Sequence, residues 1–151
     1  MYAVLLTLHS LFRWVVLTGL LIGLGRAYRG WLGKKAFLGI DDTVRHTTAT
    51  LAHVQLMLGY GLYFASPLVQ MFHLRDTEHA PTALFFAVQH VAAMTGAIMV
   101  LTIGSALTKR RPTSTEKFRT MALWFTAALL LILLAIPWPF SPFASRPFFR
   151  F

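Results

Sequence analysis

His9, Arg13, His53 and His90 each fall inside a long apolar run, where nothing in ordinary packing calls for an ionisable side chain. Such groups are costly there and mark functional sites by default. Two imidazoles at one depth on two helices are what a b-type haem needs, one on each face of the iron. An arginine beside them is a natural partner for a haem propionate. All five acidic residues (Asp41, Asp42, Asp76, Glu78 and Glu116) lie outside the apolar runs, so no carboxylate stands at the depth of Arg13. That guanidinium must meet a non-protein anion, backbone carbonyls, or water reached by snorkelling.

The elements that carry these residues are read from the apolar runs. Crossing a hydrocarbon core of about 30 Å takes about 20 mostly apolar residues as a helix. Residues 3–24, 44–65, 82–107 and 117–136 qualify. The second run stops at Ser66-Pro67, and the third tolerates Pro81 in its first turn. Thr113-Ser114-Thr115-Glu116 has capping-box spacing before the fourth, which ends at Pro137-Trp138-Pro139. Nothing reads as a strand. The expected fold is all-α: a single membrane domain over residues 1–151, built as an up-down bundle of four transmembrane helices. The first run has no basic residue before it and no A-x-A-like site after it, so it reads as a retained helix rather than a signal peptide.

Composition agrees. The 151 residues are 56% hydrophobic and 13% charged, with mean hydropathy +0.62. A soluble domain carries about 25% charged residues, so a disordered chain is excluded and a water-soluble globule is not expected. The absence of cysteine excludes disulfides, thiolate zinc, iron–sulfur clusters and c-type haem attachment. The net charge of +9 does not point to nucleic acid, because its distribution follows the helices. Arg26, Arg29, Lys34, Lys35 and Arg45 lie between the first two runs, and Lys109, Arg110, Arg111, Lys117 and Arg119 around the junction of the last two. The middle loop holds Arg75 against Asp76 and Glu78. This positive-inside pattern puts the first and third loops in the cytoplasm, and both termini outside. Tyr28, Trp31 and Phe37 mark the inner interface, and Trp138, Phe140 and Phe143 the outer one. The tail from Arg146 to Phe151 is aromatic and basic, and is expected on the membrane surface. Gly19 and Gly23 form a GxxxG that permits close helix approach.

At about 1.5 Å per residue, His9 lies roughly 9 Å and His90 roughly 12 Å below the outer boundary. His53 lies roughly 13 Å from the inner boundary, a turn or so deeper. The first and third helices of an up-down bundle are diagonal neighbours, so His9 and His90 are the favoured axial pair and His53 the challenger for either position. His53 shares a stripe with His46, Thr50, Met57 and Tyr60, and His90 shares a face with Phe86, Ala93, Met94 and Ala97. Gln55 and Gln89 are further polar candidates, although Gln89 points away from His90. His46, His73 and His79 sit at interfaces or in a loop.

Leu8-His9-Ser10-Leu11-Phe12-Arg13-Trp14, Ala52-His53-Val54-Gln55-Leu56, Phe85-Phe86-Ala87-Val88-Gln89-His90 and Ile136-Pro137-Trp138-Pro139-Phe140 together resemble a small bacterial family of four-helix membrane proteins labelled cytochrome-b-like. The resemblance covers essentially the whole chain. It implies a protein of the bacterial inner membrane and marks His9, Arg13, His53 and His90 as the polar membrane residues. The expected function is electron transfer through one haem b, alone or within a larger respiratory complex. Two other readings stay open. One is an accessory membrane subunit with no cofactor. The other is a zinc or copper site made by His9, His53 and His90. Hydrolysis has no G-x-S-x-G, HExxH or P-loop to carry it, and the four runs lack the duplication of inverted-repeat transporters.

Overall fold

The computed structural model describes residues 1–73, 80–141 and 144–149. Arg75, Asp76, Glu78, His79, Phe143, Arg150 and Phe151 lie outside the described residues. Those described form helices and connections, with no strand among them. Four long helices, α1 (Tyr2–Leu32), α2 (Gly39–Ala65), α5 (His90–Arg110) and α6 (Ser114–Ala135), make the body. Two short ones, α3 (Pro67–His73) and α4 (Ala80–Leu84), lie between α2 and α5. A π-helical turn, Phe85–Gln89, joins α4 directly to α5. Three helical stretches are long and apolar enough to cross a membrane: Tyr2–Leu32, Pro81–Arg110 and Ser114–Ala135. At 27 residues α2 has the length, but Asp41, Asp42, Arg45, His46, His53 and Gln55 make it more polar.

Helix α1 runs eight residues beyond its expected end and α2 starts five earlier. Both extensions are held by charge. Arg26 bonds Asp41 through Nε (2.8 Å) and Nη2 (2.7 Å), tying the end of α1 to the start of α2. The other oxygen of Asp41 accepts the Leu38 N–H at 2.9 Å, which satisfies one of the orphan donors of the α2 N-terminus. Arg45 is buried; it pairs with Asp42 at 2.9 Å and donates to the Ser105 carbonyl at 3.0 Å, linking α2 to α5. Two of the ten basic residues at this end are thus structural cross-links rather than free topological charge. The expected start of α6 is found: Thr113 Oγ1 accepts the Glu116 N–H at 3.3 Å.

Helix α1 packs against α2 and α6, and α5 packs against the same two, so α1 and α5 stand on a diagonal. Leu20, Ala27, Ala97, Leu101, Phe125 and Ala128 are wholly buried between them. Large apolar side chains also cover the outside: Phe64 is 75% and Leu134 77% exposed. Helices that are apolar all round belong in an apolar medium. The close approaches are not where the GxxxG predicts a single contact face. Gly19 faces Thr48 of α2, whereas Gly23 faces Met121 and Phe125 of α6. The tightest places are Gly30, where a Cβ would overlap the Phe118 ring, and Gly104, where it would overlap the Cβ of Trp124. Gly96 on the same helix faces open space. Gly104→Ala should therefore destabilise the detergent-solubilised protein by about 1–3 kcal/mol, since α5 and α6 must separate. Gly96→Ala should not. Thermal melts of the two variants check this; equal midpoints would refute the α5–α6 contact.

Candidate functional site

At the end of the helices away from the basic loops lies a cavity of ≈ 440 Å³. The first half of α1, the last turns of α2, the start of α5 and the end of α6 all contribute to it. Its lining is mostly apolar, with His9, Arg13, Gln55, His90 and Arg146 converging on it. A cavity of this size with a few polar groups matches a small-ligand or cofactor site.

His90 is positioned from two directions. The π-helical turn ends on it, and its N–H bonds the Phe85 carbonyl five residues back. Such turns insert an extra residue into a helix and recur at functional sites. The ring is held from α6: Nδ1 lies 2.8 Å from the Ala135 carbonyl. A carbonyl only accepts, so Nδ1 carries the proton and the ring's lone pair is on Nε2. The Ala135 carbonyl is free for this bond because its intrahelical partner would be the N–H of residue 139, which is proline. Pro137 does the same to the Leu133 carbonyl, which accepts Trp138 Nε1–H at 2.8 Å instead.

His9 approaches from α1. Gln55 on α2 donates Nε2–H to the His9 carbonyl at 3.0 Å and lies 3.4 Å from its Nε2. Its other ring nitrogen, Nδ1, is buried with no protein partner. Gly59 gives the ring room, since a Cβ there would stand 3.1 Å from His9 Cε1. The His9 and His90 ring centroids are 6.5 Å apart, with planes at 75°. Their expected pairing across the diagonal is thus present in space.

The other expected residues divide. Arg13 lines the cavity, sits 5.3 Å over the Trp14 ring, and donates Nη2–H to the Phe148 carbonyl. Of the three destinations open to it, a backbone carbonyl takes Nη2, while its Nε is buried without a partner. His53 goes elsewhere. It is exposed on the face of α2 towards α5, where Nε2 is 2.9 Å from Thr102 Oγ1. On the same stripe Tyr60 reaches Thr95 at 2.8 Å. His53 does not line the cavity, and no cluster of three His, Asp or Glu able to hold a metal occurs among the described residues. Gln89 and His46 are exposed and outside it.

No family model, curated protein or solved structure matches this chain. Its own donor set is what speaks for a ligand. Two imidazoles that bind one metal from opposite sides, each at about 2.0–2.1 Å, have centroids about 6–6.5 Å apart. The pair here has that separation. One ring holds its tautomer by a backbone bond of the kind that orients metal-ligating histidines, and the other has an orphaned nitrogen. The two imidazoles are therefore spaced as a pair that could hold one metal between them, with Arg13 beside them on the cavity wall.

The tail was expected on the membrane surface, and its contact with the cavity was not foreseen. Residues 144–149 fold back rather than lying apart: Phe148 and Phe149 pack on Trp14 at 6.4 and 5.7 Å, and Arg146 lines the cavity. Its aromatic spacing was the available signal.

Replacing His90 or Trp138 with phenylalanine keeps a ring but strands one carbonyl at the end of α6. Each change should cost about 1 kcal/mol or more, lowering the thermal midpoint, whereas Gln89→Leu at an exposed position should leave it unchanged. A His90→Phe protein as stable as wild type would remove the role assigned to the Ala135 bond.

Proposed function

We propose that the chain is a four-span membrane b-type cytochrome that binds one haem b and transfers electrons. The observation that carries this is the His9–His90 pair, with centroids 6.5 Å apart on diagonal helices over a cavity of ≈ 440 Å³. The resemblance to the cytochrome-b-like membrane family points the same way. On this reading α2 is the fourth span. Gln55, His53 and Tyr60 form hydrogen bonds across to α1 and α5.

His9 and His90 would be the axial ligands and Arg13 the partner of a propionate. When bound, haem b supplies a one-electron couple whose potential follows burial and hydrogen bonding. The chain's contribution is positional. Ala135 holds the His90 ring and keeps its lone pair on Nε2, Gln55 steadies His9, and the apolar walls exclude water. His53 is then an interhelical bonding group that braces α2 against α5. Basic loops at the far end set the orientation, with both termini and the haem near the periplasmic face of a bacterial inner membrane. The electron partner would be a redox protein or a larger respiratory complex.

The competing reading is an accessory subunit without cofactor. Its support is that His53 and His90 both make interhelical hydrogen bonds, which is how membrane histidines join helices.

The two readings separate in the reduced-minus-oxidised absorbance spectrum of purified, haem-supplemented protein. A sharp low-spin α-band is expected in wild type, in His53→Ala and in His46→Ala, and is expected to vanish in His9→Ala and His90→Ala. A featureless wild-type spectrum from folded protein would leave the accessory subunit as the better account. Full haem in either ligand variant would break the axial assignment.

A further inference from the structure

Between α1 and α2 runs an open groove of ≈ 620 Å³, walled by those two helices alone. Its lining is mainly apolar, with Trp14, Val15, Thr18 and Ile22 on one side and Val44 and Leu51 on the other. Two of the threonine hydroxyls beside it are already spent on the backbone: Thr48 Oγ1 donates to the Gly19 carbonyl at 3.2 Å, and Thr43 Oγ1 to the Gly39 carbonyl at 3.0 Å. From Trp14 to Ile22 is about 12 Å of helix. One leaflet of a hydrocarbon core is about 15 Å deep, so the groove has the length of a seat within a single leaflet.

One stripe of α1 joins this groove to a cationic end. Val15, Ile22 and Arg29 recur at seven-residue spacing, which puts Arg29 on the groove's face of the helix, two turns beyond Ile22. Gly33 is one further turn along, and Lys35 lies over it: a Cβ at Gly33 would stand 3.3 Å from Lys35 Cε. The turn that ends α1 brings the chain back to this place. Lys35 N–H bonds the Gly30 carbonyl at 3.0 Å and Lys34 N–H the Trp31 carbonyl at 3.3 Å. Between these bonds Lys34 has φ 47°, in the left-handed position where glycine is usual. Lys35 is thus seated by the fold rather than hanging from a loop. Arg29 and Lys35 are both exposed, and among the described residues no carboxylate pairs with either. Neighbouring cations are engaged elsewhere: Arg26 with Asp41, Arg45 with Asp42, Lys117 over the Phe37 ring and Arg119 over the Trp31 ring.

An apolar channel one leaflet deep, with two cations at its interfacial end, has the form of a lipid with a negative headgroup. A second copy of the chain suits it less well. A twofold axis along the membrane normal would bring the same cations together at one depth, where they repel. We propose that the α1–α2 groove seats an acyl chain of one anionic phospholipid, whose phosphate is held by Arg29 and Lys35. The site makes no use of the histidine cavity and stands apart from the haem reading.

The test is native mass spectrometry of the delipidated, detergent-solubilised full-length protein, titrated with dioleoyl phosphatidylglycerol or with its zwitterionic phosphatidylcholine counterpart. Wild type should take up one phosphatidylglycerol about tenfold or more tightly than phosphatidylcholine, as expected for two basic residues at a membrane surface. Arg29→Gln with Lys35→Gln should abolish that preference. Lys109→Gln with Arg110→Gln removes the same charge at the end of α5 and should keep it. Thr18→Trp, at an exposed position, should fill the groove and weaken both lipids. Equal binding of the two lipids by wild type would overturn the proposal, as would a dimer that shows no lipid preference. An equal loss in the two double variants would reduce the effect to diffuse surface charge and overturn the roles of Arg29 and Lys35. Wild-type affinity in Thr18→Trp would overturn the groove as the seat.

Discussion

In apolar surroundings a backbone carbonyl without a donor is expensive, and the last turn of α6 has two of them because residues 137 and 139 are prolines. Much of the site follows from how they are satisfied. The Leu133 carbonyl takes the Trp138 indole, which turns that ring towards Trp14 at 6.3 Å. Trp14 and Trp138 then form the floor on which Phe148 packs, and the tail comes to rest over the cavity. The Ala135 carbonyl takes His90 Nδ1, and that bond aims the ring and sets its tautomer. One short motif thus orients an imidazole and closes the tail across the chain.

The opposite end holds together by a different kind of contact. There Arg26 pairs with Asp41, and Arg45 pairs with Asp42 and donates to the Ser105 hydroxyl. At the cavity end Arg13 has a carbonyl and a ring instead of a carboxylate. Asp41 and Asp42 are used where they brace helices, and no aspartate or glutamate among the described residues lines the cavity. This asymmetry leaves a positive, mostly apolar space where the two imidazoles meet.

What could be read from residues alone was set by periodicity and by polarity out of place. His9 and His90 were legible as a pair because depth follows from counting residues, and the diagonal of α1 and α5 follows from short connections. The start of α6 at Thr113 was legible for the same local reason. His53, a turn or so deeper, stayed a challenger for either position because its direction on α2 depends on packing; it turns to Thr102. The π-helical turn before His90 has no local composition that marks it. Gly30 and Gly104 outweigh the GxxxG glycines because contact depends on which aromatic ring faces each glycine, and spacing does not encode that. Arg146 was out of reach, since its place at the cavity depends on contacts across the whole chain.

The account rests on two imidazoles sharing one iron, and that is tested most directly by low-temperature electron paramagnetic resonance of the oxidised, haem-loaded wild-type protein. Two strong axial nitrogens predict a low-spin ferric signal that accounts for the bound iron. A high-spin signal of comparable weight, as one histidine or none would produce, would contradict it.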